Sequence, residues 1–389
     1  MASPHSKRRK LRKLWLTVHL YTALTVGFAF VVLGLTGSYN AFMTELDEVW
    51  HPELVIAHPG GAYRPFQEML LAVRRAHPEW QGSWSLQMPR HKAGMLTASH
   101  PLPKGQAGMY YNARLVSVDP YRAEVVKSRG RNETLMGWVF DLHCALLLGD
   151  NGQKAVGILG VCLLVSVLTG VYLWWPSRGR LWQALTIKRH AGAERRVFDL
   201  HKCFGIYAAM VLSVLAFSGF YLIYSDQVRL VVNLFSPVKM DPWADLDGVK
   251  SNPLPGAVAV SIDNAVAAAQ AAFPAAELKQ MLTPADATGV YTLHLRQPGE
   301  ANHYWPSTTV YVDQYSGQVI ATRDPMRFSN GETFLNLQYP LHTGEALGLA
   351  GRIIICATGW VPLVLYVTGL LRWRQKAAGQ RRHKGGKNG

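Results

Sequence analysis

Hydrophobic positions along the chain fall into two kinds of pattern. Four stretches, residues 14–39, 154–175, 200–224 and 349–373, are almost uninterruptedly apolar. Each is long enough to cross a hydrocarbon core of about 30 Å, which takes roughly 20 helical residues. Trp15, Trp174, Trp175 and Trp373 stand near their ends, as aromatic belts do at a membrane surface. The two long segments between them, 40–153 and 225–348, read differently. Residues 64–80 and 261–274 each show an amphipathic helical period that closes at a proline. Short alternating runs follow each of them, as half-buried strands require. Both segments then reach a similar hairpin, Val118-Asp119-Pro120-Tyr121 ahead of Glu124 and Val312-Asp313-Gln314-Tyr315 ahead of Gln318. The pattern predicts a membrane bundle of four transmembrane helices carrying two α+β domains, each a helix on a small antiparallel sheet.

Charge orients this arrangement. The chain has 389 residues, 17% of them charged, with a net charge of +15. Residues 1–13, 176–199 and 372–389 together hold 19 basic and two acidic residues, whereas the rest of the chain holds 21 and 23. A positive charge so confined sets topology. It gives no sign of nucleic-acid binding. The basic tails 1–13 and 374–389 and the loop 176–199 are expected in the cytoplasm. Segments 40–153 and 225–348 are then periplasmic, and the bilayer is a bacterial inner membrane. The first span is expected to be retained, since no small-residue cleavage site follows it. The apolar content rules out disorder. Cys144, Cys162, Cys203 and Cys356 form no CxxC pair and read as small packing residues.

The chain also reads as one unit written twice. His19 precedes Gly37 by 18 residues, and His201 precedes Gly219 by the same 18. His143 precedes Gly170 by 27 residues, and His342 precedes Gly369 by the same 27. Each glycine follows a threonine or serine. At 1.5 Å per residue, His19 lies about 27 Å from Gly37, near the cytoplasmic face, and His201 occupies the same level. His143 and His342 belong near the outer face, because a continuous 27-residue helix of about 40 Å would overrun the core. The Gly149-Asp150-Asn151-Gly152 stretch marks a break that puts His143 on a separate short helix.

An ionisable residue at membrane depth is a functional candidate, and neutral imidazole is a common iron ligand. Zinc would bring closely spaced Cys or acidic ligands. Copper transport would bring Met and Cys into the spans, where Met210 is the one methionine. Histidines from different helices in an apolar bundle suit bis-His b-type haem, held by ligation and packing alone because no CxxCH occurs.

Four spans, the duplicated His-to-Gly spacing and two outer helix–sheet segments resemble the PepSY-associated transmembrane family, whose members are described as iron-regulated membrane proteins. The resemblance runs from Trp15 to Trp373, and residues 261–320 are the better match to a PepSY domain. Among members, the chain looks most similar to ferric-siderophore reductases of ferrioxamine uptake. The resemblance implies a dihaem oxidoreductase passing electrons to a periplasmic ferric siderophore, with a hydroxamate type suspected. Carried over by position, His19 with His201 would hold an inner haem, and His143 with His342 an outer one. Trp80, Trp84, Tyr110, Tyr111, Tyr304 and Trp305 are candidates to line the acceptor surface. Cytoplasmic segments this short cannot fold a flavin or nicotinamide domain, so a quinol or a separate cytoplasmic reductase is the expected donor. A cytochrome b serving another periplasmic acceptor, a transporter, and a non-catalytic PepSY-type binding or regulatory protein are the alternatives.

Overall fold

The computed structural model describes residues 4–102, 112–177, 179–188, 190–239, 246, 248–253 and 256–385. Its first half runs through α1 (Pro4–Asn40), α2 (Met43–Trp50), α3 (Phe66–Ala76), β1 (Ser85–Gln87), β2 (Leu96–Pro101), β3 (Ala113–Asp119), β4 (Glu124–Gly130), α4 (Leu135–Ala145) and α5 (Gly149–Trp174). A short α6 (Leu181–Leu185) lies in the connection. The second half runs through α7 (Ala193–Ile223), α8 (Ser225–Asn233), α9 (Ile262–Ala272), β5 (Glu277–Leu282), β6 (Val290–Arg296), β7 (Thr308–Asp313), β8 (Val319–Arg323), α10 (Asn330–Thr343), α11 (Gly348–Thr358) and α12 (Val361–Gly385). Long helix, short helix, helix, four strands, helix and long helix thus occur twice in the same order, except that the closing long helix of the second half is divided into α11 and α12.

Four helical stretches are long and apolar enough to cross a membrane: Lys7–Asn40, Gly149–Trp174, Ala193–Ile223 and Glu345–Gln380. The last is not the single rod that its hydropathy predicts. It breaks at Gly359-Trp360, between α11 and α12. Here α1 crosses so closely that a Cβ at Gly359 would overlap the Gly34 carbonyl, and Ser38 Oγ donates to Cys356 O at 2.7 Å. Pro362, lacking an N–H, then starts the new helix where no donor is needed. The expected separation of His143 from the second span is present, but it lies at Leu146–Leu148; Gly149 to Gly152 already form the first turn of α5.

The two segments between the spans differ from the expected pair of separate domains in one respect. Their eight strands form one sheet, in the order β4-β3-β2-β1-β5-β6-β7-β8. The seam is an antiparallel pairing of β1 with β5, matching Ser85 with Leu282, Leu86 with Met281 and Gln87 with Gln280. The first strand of each α+β unit has an otherwise bare edge, and joining the two removes both edges at once. A single core follows. Met69, Trp84, Leu86, Leu96 and Val116 from one unit and Ile262, Met281, Leu293 and Val310 from the other are fully buried in one cluster.

Helices α3 and α9 also cap each other. The Asp263 carboxylate accepts from the N–H groups of Phe66 and Gln67 at 2.8 and 2.9 Å, while Gln67 Oε1 accepts from Ile262 N–H at 3.2 Å. Each helix thereby satisfies free donors at the start of the other. The Arg129 guanidinium of β4 donates a two-point pair to Asp47 of α2, at 2.9 and 2.6 Å, and fixes the sheet to the end of the first span.

Candidate cofactor site

The helical bundle brings the four histidines together in two pairs. The His19 and His201 ring centres are 6.3 Å apart, and those of His143 and His342 are 6.1 Å apart. His19 and His201 come from α1 and α7, whereas His143 and His342 come from α4 and α10, the short helices that precede the second and fourth spans. The pairs lie at different depths. His143 contacts Thr36 of α1, and 17 residues of helix separate Thr36 from His19, a rise of about 26 Å. The count is the same on α7, from His201 to Ser218, which His342 contacts.

Each ring is seated on a neighbouring helix by the dipeptide that marks the repeat. His19 Nδ1 lies 3.1 Å from Thr169 Oγ1 and 3.0 Å from Ser166 O. His143 Nδ1 lies 3.0 Å from Thr36 Oγ1 and 3.1 Å from Leu33 O. His201 Nδ1 lies 3.0 Å from Thr368 Oγ1, and His342 Nδ1 2.9 Å from Ser218 Oγ. The glycine beside each hydroxyl makes room for the ring. A Cβ at Gly37, Gly170, Gly219 or Gly369 would stand 3.1 to 3.3 Å from the imidazole Cε1. The sequence spacing groups His19 with Gly37, but the structure seats His19 on Gly170 and His143 on Gly37. The Thr/Ser-Gly dipeptides are thus sockets for histidines on other helices. Sequence reading sees them only as repeat markers, because the exchange arises when helices pack side by side.

All four histidines are only partly covered by protein, and their hydrogen bonds all run through Nδ1. A metal–imidazole bond of about 2.0 Å on each side, with a ring radius of about 1.2 Å, puts two ligand rings about 6.4 Å apart centre to centre. The observed 6.3 and 6.1 Å fit that spacing. No group of three or more His, Cys, Asp or Glu that could hold a metal ion occurs among the described residues. The donor set at each level is therefore two imidazoles, which suits a metal that brings its own in-plane ligands.

The profile of the PepSY-associated TM region matches residues 16–376. The chain belongs to this family. A search of the curated proteins returns no match to this sequence. As a PepSY-associated membrane protein it carries, besides the histidine pairs, a feature that hydropathy does not show. A cavity of about 290 Å³ opens between the sheet seam and the start of α11, lined in part by Arg90, Lys279, Arg296, Tyr304, Glu345 and Arg352. Arg90 stacks its guanidinium 3.7 Å from the Tyr304 ring centre, and Arg352 pairs with Glu45 at 2.7 Å. Tyr339, one turn before His342, interacts electrostatically with Glu345, Arg90, Tyr304 and Cys144, the neighbour of His143. Burial, with Glu345 adding to it, pushes the Tyr339 hydroxyl up and keeps it protonated. The cavity wall thus lies near the His143–His342 pair.

Of the aromatics considered for an acceptor surface, Tyr304 lines this cavity and Trp305 packs edge-on against it. Trp84 is fully buried in the sheet core, and Trp80 packs on that core between His77 and His100. Tyr110 and Tyr111 lie outside the described residues. The basic residues of the cavity carry no sequence signal, because they come from four separate places, the connection after β1, strands β5 and β6, and helix α11, which meet only when the two α+β units share a sheet.

Proposed function

We propose that this protein is a dihaem b-type cytochrome of a bacterial inner membrane, built as an internal two-fold repeat with its termini in the cytoplasm. It carries electrons across the membrane and reduces a ferric siderophore in the periplasm. The observation that carries the reading is the pair of imidazole pairs, each spaced so that its two rings would hold one iron between them, and set about 26 Å apart along the helices. His19 and His201 would hold the inner haem, and His143 and His342 the outer one. When bound, the haems supply the one-electron chemistry.

The chain's own residues supply position and environment. The Thr/Ser-Gly sockets fix the ring orientations, and the apolar helices exclude water from the path between the two levels. On the outer side, Arg90, Lys279, Arg296 and Arg352 outnumber Glu277 and Glu345 on the cavity wall. Such donors suit the oxygen-rich surface of a hydroxamate–Fe(III) complex, which they would hold beside the outer pair. One electron converts the bound Fe(III) to Fe(II), a softer ion that hard oxygen donors hold less well, so iron leaves with the siderophore intact. A quinol or a cytoplasmic reductase would serve the inner pair.

Stopped-flow mixing of the reduced protein with ferric ferrioxamine tests the acceptor. The proposal expects reoxidation with Fe(II) appearing at a chelator, and about a tenfold higher half-saturating concentration for Arg90→Gln. A reduced protein that stays reduced beside the ferric complex rules that acceptor out.

A further inference from the structure

At each histidine socket one further relation holds, and it concerns the proton on the ring. Each socket hydroxyl lies within donating distance of the carbonyl four residues earlier on its own helix. Thr36 Oγ1 reaches Val32 O at 2.7 Å, Thr169 Oγ1 reaches Val165 O at 2.8 Å, Ser218 Oγ reaches Val214 O at 2.6 Å and Thr368 Oγ1 reaches Val364 O at 2.6 Å. A hydroxyl has a single proton to give. Once that proton is directed at the backbone, the hydroxyl oxygen meets the imidazole as an acceptor, and Nδ1 must carry the hydrogen. Two sockets settle the direction separately. His19 Nδ1 and His143 Nδ1 also face the carbonyl oxygens of Ser166 and Leu33, which can only accept.

We propose that Thr36, Thr169, Ser218 and Thr368 are positioning residues that set both the tautomer and the donor strength of the four histidines. Each holds its ring as the Nδ1–H form and leaves Nε2 as the nitrogen with the free lone pair. By accepting the Nδ1–H hydrogen bond, each also raises the basicity of that ring, as partners of metal-bound histidines generally do. A more basic axial ligand favours ferric over ferrous iron, so the sockets lower the reduction potential. This rests on the haem reading above for its effect on potential, but not for the tautomer.

The test is a redox titration of the haem-loaded protein and its variants. Thr36→Val keeps the side-chain shape and removes the hydroxyl acceptor, leaving His143 Nδ1 only the Leu33 carbonyl at 3.1 Å. It is expected to shift the reduction equilibrium of the outer haem about threefold toward the ferrous form, roughly 28 mV upward at about 59 mV per tenfold for one electron. Thr169→Val should do the same to the inner haem only, and Thr36→Ser should restore the wild-type value. A merely structural hydroxyl would leave the potential in place, so an unmoved potential at full haem content overturns the proposal. Should Thr36→Val fail to retain haem, the imidazole ¹⁵N shifts of the haem-free wild type decide. Nδ1–H at all four histidines supports the proposal, and Nε2–H overturns it. Haem-free wild-type protein under haem-replete expression would remove the cytochrome reading while leaving the tautomer result readable.

Discussion

The sockets show how few atoms decide the chemistry at the residue scale. A glycine in a membrane helix lets an imidazole approach, and the hydroxyl before it gives the ring one orientation. Gly37→Val would push methyl groups toward His143, whose Cε1 already stands 3.1 Å from the place of a first Cβ. Overpacking of this kind costs about 1–3 kcal/mol, enough to displace the ring. The expected outcome is loss of roughly one haem per chain, read by pyridine haemochrome assay, with the inner haem kept. A second residue has a consequence for stability. Glu300 is 5% exposed, and burial lifts its carboxyl to about 7 despite hydrogen bonds from Thr308. A carboxyl raised in the folded state contributes stability that is full below its unfolded value, near 4.5, and lost as pH rises through 7. The loss amounts to roughly 3 kcal/mol at about 1.4 kcal/mol per pH unit. Thermal unfolding between pH 5 and 8 should therefore show the protein weakening across this window, and Glu300→Gln should flatten the slope. The histidines were legible in the sequence because a duplicated spacing isolates four from 14. The hydroxyls were written beside every marker glycine, but their role needs the neighbouring helix.

Element by element, periodicity carried most of the information. Spans, amphipathic helices and hairpins all declare themselves, since each buries one face or all faces against a uniform surrounding. What periodicity cannot show is pairing between distant edges. Strand β1 has three residues, and nothing in Ser85-Leu86-Gln87 names β5 as its partner. The break in the last span is hidden for a similar reason: Gly359 and Pro362 stand inside a hydrophobic run, and the break shows only when α1 is laid against them. The mutual capping of α3 and α9 makes the seam testable. Asp263→Ala removes an acceptor used twice across the two α+β units. It should cost about 1–2 kcal/mol, in the range of a lost helix cap. Because the two units share one core, chemical denaturation followed by far-ultraviolet dichroism and by tryptophan emission should still give one coincident transition. Two separated transitions would show that the units are energetically independent.

On the scale of the whole molecule, the two halves are alike where the histidines sit and unlike where a ligand could approach. The matched halves build two levels of paired imidazoles, whereas the basic cavity near the His143–His342 pair takes its wall from both halves together, Arg90 from the first and Tyr304, Glu345 and Arg352 from the second. This combination supports the proposed carrier of electrons, with the cavity as the place where it would meet its acceptor. The most direct test is a dithionite-reduced minus oxidised optical spectrum with haem quantitation on purified wild type, His143→Ala and His201→Ala. The account predicts about two b-type haems per chain in the wild type, and about one in each variant. A colourless wild type from haem-supplied cells, or variants that keep the full haem content, would contradict it.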